Sequence, residues 1–183
     1  LPMVTTPVAI GLAWTLFYEP TIGLANFALR ALGLPPSQWI AADGTVIPSI
    51  AIVDIWEWTP MIVLIVLAGL AGLPREPYES AIVDGAKSYQ IFFRITLPLI
   101  TPTILVAVVM RSIEAFKTFD IIYSMTGGGP GYSSETLNIL AYKQGFTYYK
   151  FGLASSTLFA LFFFVFFSTM TVLFARKKRS EAI

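Results

Sequence analysis

The chain contains no cysteine and no histidine among its 183 residues. The missing cysteines exclude disulfide bonds. The two absences together exclude thiolate and imidazole metal sites, and catalysis by a cysteine nucleophile or a histidine base. The sequence offers no candidate metal site, cofactor site or catalytic residue. Any enzyme chemistry would have to rely on carboxylates, lysine or tyrosine.

Charged residues are also scarce, at 13% of the chain, whereas hydrophobic residues make up 56%. Soluble domains carry about 25% charged residues, and the mean hydropathy of this chain is +0.72. The composition therefore indicates a membrane protein whose main partner is the lipid bilayer. The formal net charge is only +1, which argues against nucleic acid as a partner.

Four apolar segments are candidates for transmembrane helices, each of which needs about 17–25 residues. They cover residues 153–175, 48–72, 97–117 and 2–18. The first segment in the chain is short, and Leu1 already lies in an apolar run with no charged region before it. We therefore expect a single transmembrane domain over 1–183 that is incomplete at its N-terminus.

The distribution of cations predicts how these spans are oriented. Segment 73–96 contains Arg75, Lys87 and Arg94, and four consecutive cations follow residue 175. By the positive-inside rule, both regions face the cytoplasm, and segments 19–47 and 118–151 face out. We expect a multi-pass protein of the cell membrane with a cytoplasmic C-terminus. Ser133 and Ser134, after a glycine-rich external turn, are predicted to cap a short helix over 135–146.

Residues 74–98 form a polar segment with a helical pattern that is interrupted at one glycine. Pro77 suits the first turn of a helix, and Glu79 lies in that turn near the positive end of the helix dipole. Gly85 is expected to end or bend the helix, which resumes over 87–96. Small side chains around the bend would let another protein approach the backbone closely.

The spacing in this segment resembles the EAA loop of permease subunits of ATP-binding-cassette importers. The matching positions are Glu79, Ala81, Asp84, Gly85, Ala86, Ile95, Leu97 and Pro98, with Ser80 in place of the usual alanine. The similarity extends to the carbohydrate-uptake branch of these importers, of the maltose and glycerol-3-phosphate type, and is greater to the first permease subunit of that type than to the second. It is carried by residues 56–60, 68–70, 118–123, 126–130 and 135–137. The resemblance implies an all-α type I importer permease fold, here a fragment with about four transmembrane helices.

By this resemblance, the chain would be the transmembrane subunit of an ATP-driven, binding-protein-dependent importer of a sugar, polyol or sugar phosphate. It would hydrolyse nothing itself. Its partners would be a cytoplasmic ATP-binding subunit, a second permease subunit and an extracytoplasmic solute-binding protein. Glu79 would contact the ATPase, Ala81, Gly85 and Ala86 would allow close approach, and Ile95 and Leu97 would anchor the loop. The alternatives are an ion-driven secondary transporter, which should show paired repeats that we do not find, and a membrane-embedded enzyme.

Four ionisable residues near the spans are candidates for a solute path or a gate. Arg111 and Glu114 either pair with each other or with another subunit, or else line the path, and their i, i+3 spacing favours a pair. Asp54 and Glu57 lie beside two tryptophans, where anchoring at the membrane interface is favoured over solute binding.

Overall fold

The computed structural model describes the backbone of residues 2–180 and the side chains up to residue 171. In this part of the chain, the regular structure is entirely helical, as predicted. The helices are α1 (Pro7–Phe17), α2 (Leu24–Ala31), α3 (Asp43–Ala71), α4 (Glu76–Val83), α5 (Ser88–Ile91), α6 (Leu97–Lys117), α7 (Asp120–Thr126), α8 (Leu137–Tyr142) and α9 (Phe151–Ser180). Short 3-10 turns at Pro2–Val4 and Trp39–Ala41 and π-helical turns at Phe92–Thr96 and Lys143–Thr147 complete it.

Three helical segments of the described chain are long and apolar enough to cross a bilayer, rather than the four that we expected. They are Asp43–Ala71, Ser88–Lys117 and Phe151–Thr171. Helix α1 has only 11 residues, which rise about 16 Å at 1.5 Å per residue, roughly half of the ~30 Å hydrocarbon thickness.

Helix α1 ends early because the chain turns directly after it. Pro20 disfavours helical geometry at the residue before it. The Glu19 carboxylate accepts hydrogen bonds from the backbone N–H groups of Ile22, at 2.6 Å, and Thr21, at 2.7 Å. The bond from the Ile22 N–H, followed by one from the Thr21 hydroxyl, lowers the pKa of Glu19. The carboxylate therefore stabilises a turn at the point where α1 would have to continue in order to cross the bilayer.

The segment after α4 runs into the next span without a break. Helix α5, the π-helical turn and α6 form one continuous helix, Ser88–Lys117. The N–H of Leu97 donates to the carbonyl of Phe92, five residues back. Pro98 has no N–H with which to bond the carbonyl of Arg94, and the wider turn lies where that bond is missing.

The buried core lies where α1, the N-terminal half of α3, α7 and α8 meet. Its fully enclosed members are Tyr18, Val46, Val53 and Ile139. Helices α1 and α7 approach closely at Gly11, where a Cβ atom would lie 2.0 Å from the hydroxyl oxygen of Ser124. Segment 118–151 is therefore partly packed against the bundle and is not simply the external loop that we expected.

Asn26 organises the connection between α1 and α3. Its side chain is 1% exposed, and its amide nitrogen donates to the carbonyls of Pro20 and Ser37, both at 2.9 Å. Its oxygen accepts from the Ser37 N–H at 2.9 Å and the Trp39 indole N–H at 2.8 Å. Trp39 also stacks on Tyr18. This connection, expected to be a loop, is thus an ordered unit that includes α2.

The glycine-rich turn after α7 has the sharp geometry that we predicted, but the serines after it do not cap a helix. Thr136 is the N-cap of α8, with its hydroxyl accepting from the Ile139 N–H. Ser134 is buried and donates to the carbonyl of Gly129 at 2.6 Å. Ser133 donates to the Asp43 carboxylate at 2.9 Å. Both serines therefore brace the turn, and the prediction of a cap at Ser133 or Ser134 was wrong.

Candidate functional site

Residues 74–98 form a helical hairpin. We call it the coupling hairpin after the role that its resemblance to the EAA loop implies. Helix α4 has Pro77 in its first turn. After its last turn, the N–H of Gly85 donates to Ile82 at 3.0 Å and that of Ala86 donates to Ala81 at 2.9 Å. This pair of bonds is a Schellman motif, and Gly85 has the positive φ, +72°, that the motif requires. The prediction that Gly85 ends the helix is confirmed.

The surface of the hairpin near this turn is open and partly apolar. Ile82 and Val83 are 66% and 87% exposed, and a Cβ atom at Gly85 would meet nothing within 4 Å. Of the other residues matched to the family loop, Glu79, Ser80, Asp84, Leu97 and Pro98 are exposed, whereas Ala81, Ala86 and Ile95 are half-buried. An exposed apolar turn beside acidic side chains is a surface on which another protein can pack.

One contact between the hairpin and the helix after it was not found from the sequence. The hydroxyl of Tyr78 in α4 donates to the hydroxyl oxygen of Thr96 at 3.1 Å, and both side chains are half-buried. Leu97, expected to anchor the loop, is 37% exposed. No local pattern marks the Tyr78–Thr96 bond, because its partners are 18 residues apart.

Arg111 pairs with an acid on the neighbouring helix. Its guanidinium donates to the Asp54 carboxylate, 57 residues away, and lies over the Trp58 ring, 5.0 Å from the centroid. The expected pair of Arg111 with Glu114 was wrong, since Glu114 instead accepts from Lys117 at 2.8 Å. Because α3 packs against α6, the facing helix offers Arg111 a carboxylate in a more enclosed place than its own helix does.

Glu57 is buried one turn along α3 from Asp54, with 6% of its surface exposed. Glu57 thus faces the inside of the bundle, and anchoring of this region at the membrane interface stays a prediction. Trp56, by contrast, is 45% exposed and packs edge-on against Trp14. Among the described side chains, three buried polar atoms have no hydrogen-bond partner: Oδ1 of Asp54, Oε2 of Glu57 and Nη1 of Arg111.

A cavity of about 170 Å³ lies beside this cluster. Its lining consists of Trp58, Met61, Ile62, Ile65, Met110, Arg111, Ile113 and Glu114. The wall is thus mostly apolar, with an indole ring, a guanidinium and a carboxylate on it. Carboxylates accept hydrogen bonds, a guanidinium donates them, and an aromatic ring offers an apolar face.

Residues 1–180 match the family described as the binding-protein-dependent transport system inner membrane component. The chain belongs to this family. Because its members are inner-membrane transport components, membership argues against a membrane-embedded enzyme.

Two relatives carry more specific descriptions. The trehalose/maltose transport system permease protein MalF of Thermococcus litoralis is 39% identical over 152 residues, which are 83% of this chain and 50% of the relative. The sulfoquinovosyl glycerol transport system permease protein SmoG of Agrobacterium fabrum is 38% identical over 152 residues, 83% of this chain and 49% of the relative. The chain therefore spans about half the length of these relatives.

Solved structures confirm the predicted type I importer permease fold. A chain of a bacterial alginate transporter, crystallised with an alginate pentasaccharide-bound periplasmic protein, superposes with a TM-score of 0.84 at 24% identity. The match covers 94% of this chain and 60% of the other. A second alginate importer structure gives a TM-score of 0.82 at 25% identity, covering 98% and 62% of the two chains.

We expect Arg111→Gln to destabilise the protein more than the double variant Arg111→Gln/Asp54→Asn. The single change leaves a partly buried carboxylate without its cation, which costs roughly 1–3 kcal/mol, whereas the double change removes both charges. Thermal unfolding of the purified transporter compares the two. Lys117→Gln is the control, because its pair with Glu114 is about half exposed and worth less than about 1 kcal/mol. If the double variant loses as much stability as Arg111→Gln and Asp54→Asn lose in sum, the pairing is contradicted.

Proposed function

We propose that this chain is the membrane-spanning part of an ATP-driven importer that carries a sugar, or a related polyol or sugar phosphate, into the cytoplasm. The observation that carries the proposal is the coupling hairpin, which presents an exposed apolar turn between two helices long enough to cross a bilayer. Family membership supports it, as do the names of relatives that describe trehalose, maltose and sulfoquinovosyl glycerol transport.

Energy would enter through the hairpin from a separate cytoplasmic ATP-binding subunit. Ile82 and Val83 offer an apolar surface to that partner, Glu79 and Asp84 offer exposed carboxylates, and Gly85 leaves the backbone accessible. The side chains of Ser80, Ala81 and Ala86 keep the rest of the turn small. Ile95, Leu97 and Pro98 lie in the continuous helix that would receive the motion. The surface therefore combines apolar contact with close backbone approach.

Two further partners belong to the proposal: a second permease subunit and an extracytoplasmic solute-binding protein. The family description names binding-protein-dependent transport, and one structural neighbour was solved with a sugar-bound periplasmic protein. Solute would pass from that protein to the outer side of the bundle.

Gly85→Val should abolish uptake while leaving the subunits in the membrane, because any side chain at this φ is strained, by about 1–2 kcal/mol, and would hold the partner away. Gly33→Val is a matched control, since Gly33 has the same φ of +72° and equally open surroundings but lies outside the hairpin. The measurement is uptake and ATP hydrolysis in reconstituted transporter. Equal losses of uptake in the two variants would mean that backbone strain alone explains the effect. The coupling site would then lose its support.

We place the solute path beside the cluster of Asp54, Glu57 and Arg111. Solute hydroxyl groups would donate to the unpartnered carboxylate oxygens and accept from the unpartnered guanidinium nitrogen once motion of the helices exposes these atoms, which are buried in this structure. The exposed pair of Glu114 and Lys117 lies at the end of the same helix. Arg111 and Asp54 would hold the wall of the path, and Glu57 would contact solute.

Glu57→Gln should raise the KM for uptake about tenfold or more, because a hydrogen bond to a charged group is worth roughly 1.5–3 kcal/mol. Uptake of a panel of radiolabelled disaccharides, polyols and sugar phosphates measures this and identifies the cargo. Asp43→Asn is the control, since Asp43 lies in the first turn of the same helix and its carboxylate is exposed, whereas Glu57 is buried. A lower maximal rate at unchanged KM would instead assign Glu57 to gating.

We also propose that the coupling hairpin and the C-terminal tail face the cytoplasm. Arg75, Lys87 and Arg94 support this for the hairpin. The tail prediction rests on four cations, 176–179, whose side chains lie outside the described residues.

Cysteine labelling tests the orientation, because the chain has no native cysteine. A membrane-impermeant maleimide should label Tyr132→Cys, an 83% exposed site in the outer segment, in intact cells. It should label Ser88→Cys, an exposed site in the hairpin, only after permeabilisation. The opposite pattern would invert the topology.

A further inference from the structure

The coupling hairpin is attached to the bundle at a point away from its exposed turn. Among the described residues, the side-chain hydrogen bond that joins α4 to another element is the one from Tyr78 to Thr96. Tyr78 lies in the first turn of α4, whereas Ile82 and Val83 lie in the last. A partner can therefore pack on the exposed turn without displacing this bond.

The two ends of α4 differ in how well they can transmit a displacement. At its C-terminal end, the chain passes through Gly85, whose backbone is conformationally permissive. The two backbone hydrogen bonds of the Schellman motif hold α4 at this end only. The Tyr78–Thr96 bond supplies a second point of attachment, and two points fix the orientation of α4 on the base of the next span.

That span is itself clamped to α3 at two levels. Near the hairpin, Gly69 of α3 lies so close to Thr103 of α6 that a Cβ atom would be 2.7 Å from its methyl carbon. Farther along, Asp54 pairs with Arg111. Helix α3, which precedes the hairpin, and helix α6, which follows it, are thus held together. A force applied at Thr96 therefore acts on both helices.

We propose that Tyr78 is a positioning residue for energy coupling, and that its bond to Thr96 makes the hairpin, α3 and α6 move as one body. The inference rests on the proposed function of the hairpin as the contact for the ATP-binding subunit. It concerns transmission of motion within this chain rather than the contact itself.

The test is the number of solute molecules taken up per ATP hydrolysed by the complete transporter in proteoliposomes. Tyr78→Phe and Thr96→Val each remove one side of the bond with little change of shape. We expect each to lower this ratio about two- to tenfold, the range set by one net hydrogen bond. The double variant should be no worse than either single variant, because all three lose the same bond.

Matched variants separate this role from a general loss of stability. Tyr89→Phe removes the hydroxyl of a 60% exposed tyrosine in the same hairpin and should leave the ratio unchanged. Thr96→Ser keeps a hydroxyl and should retain coupling. Thr96→Val reports on the same bond should Tyr78→Phe fail to accumulate.

The outcomes distinguish failure of this inference from failure of the proposed function. An unchanged ratio in Tyr78→Phe, or additive losses in the double variant, overturns the inference. If Gly85→Val still uncouples transport in that case, the hairpin remains the coupling contact. If the ATP-binding subunit fails to co-purify with the native chain and Gly85→Val transports normally, the proposed function fails and the inference fails with it.

Discussion

An arginine–aspartate pair between two membrane-spanning helices is the interaction on which the rest of this structure depends. Ionisable groups within a bilayer are costly unless they face a partner or a cavity, so Arg111 and Asp54 hold α6 and α3 in a definite rotation about their axes. That rotation turns Glu57 into the bundle and brings Trp58 under the guanidinium. It also forms the wall of the cavity beside them. The pair thus defines the interior surface along which we place the solute.

The molecule divides into parts that are tightly packed and a part that is left open. Gly11 against Ser124 and Gly69 against Thr103 permit approaches that no side chain would allow. The coupling hairpin has no buried residue in α4 and shows apolar side chains to the outside. An open helix whose C-terminal end is closed by a Schellman motif, set between two spans that pack closely against each other, suits the mechanical input that we propose for it.

Several features could be predicted from the sequence because they arise from neighbours along the chain. The end of α4 at Gly85 follows from the positive φ of a Schellman turn, and the start of α4 follows from Pro77. Other predictions were wrong because the partners are distant in the chain. Ser134 is spaced like a helix cap, yet it is drawn into the glycine turn by Thr126 and Gly129. Helix α2 was missed because its stability depends on the buried amide of Asn26.

The sequence by itself determined the class of the protein: a helical membrane subunit with a spaced loop that resembles the family's coupling loop, and no histidine or cysteine chemistry. Composition and local spacing are sufficient for that, since bilayer thickness and helix capping act within one segment. Only the tertiary structure decided which charges meet. Arg111 could have paired with Glu114 three residues away, but the facing helix offered Asp54 in a more enclosed position. The link from Tyr78 to Thr96 likewise exists only because the hairpin folds back on the base of α6. Such contacts depend on how helices pack, and one-dimensional spacing does not contain that information.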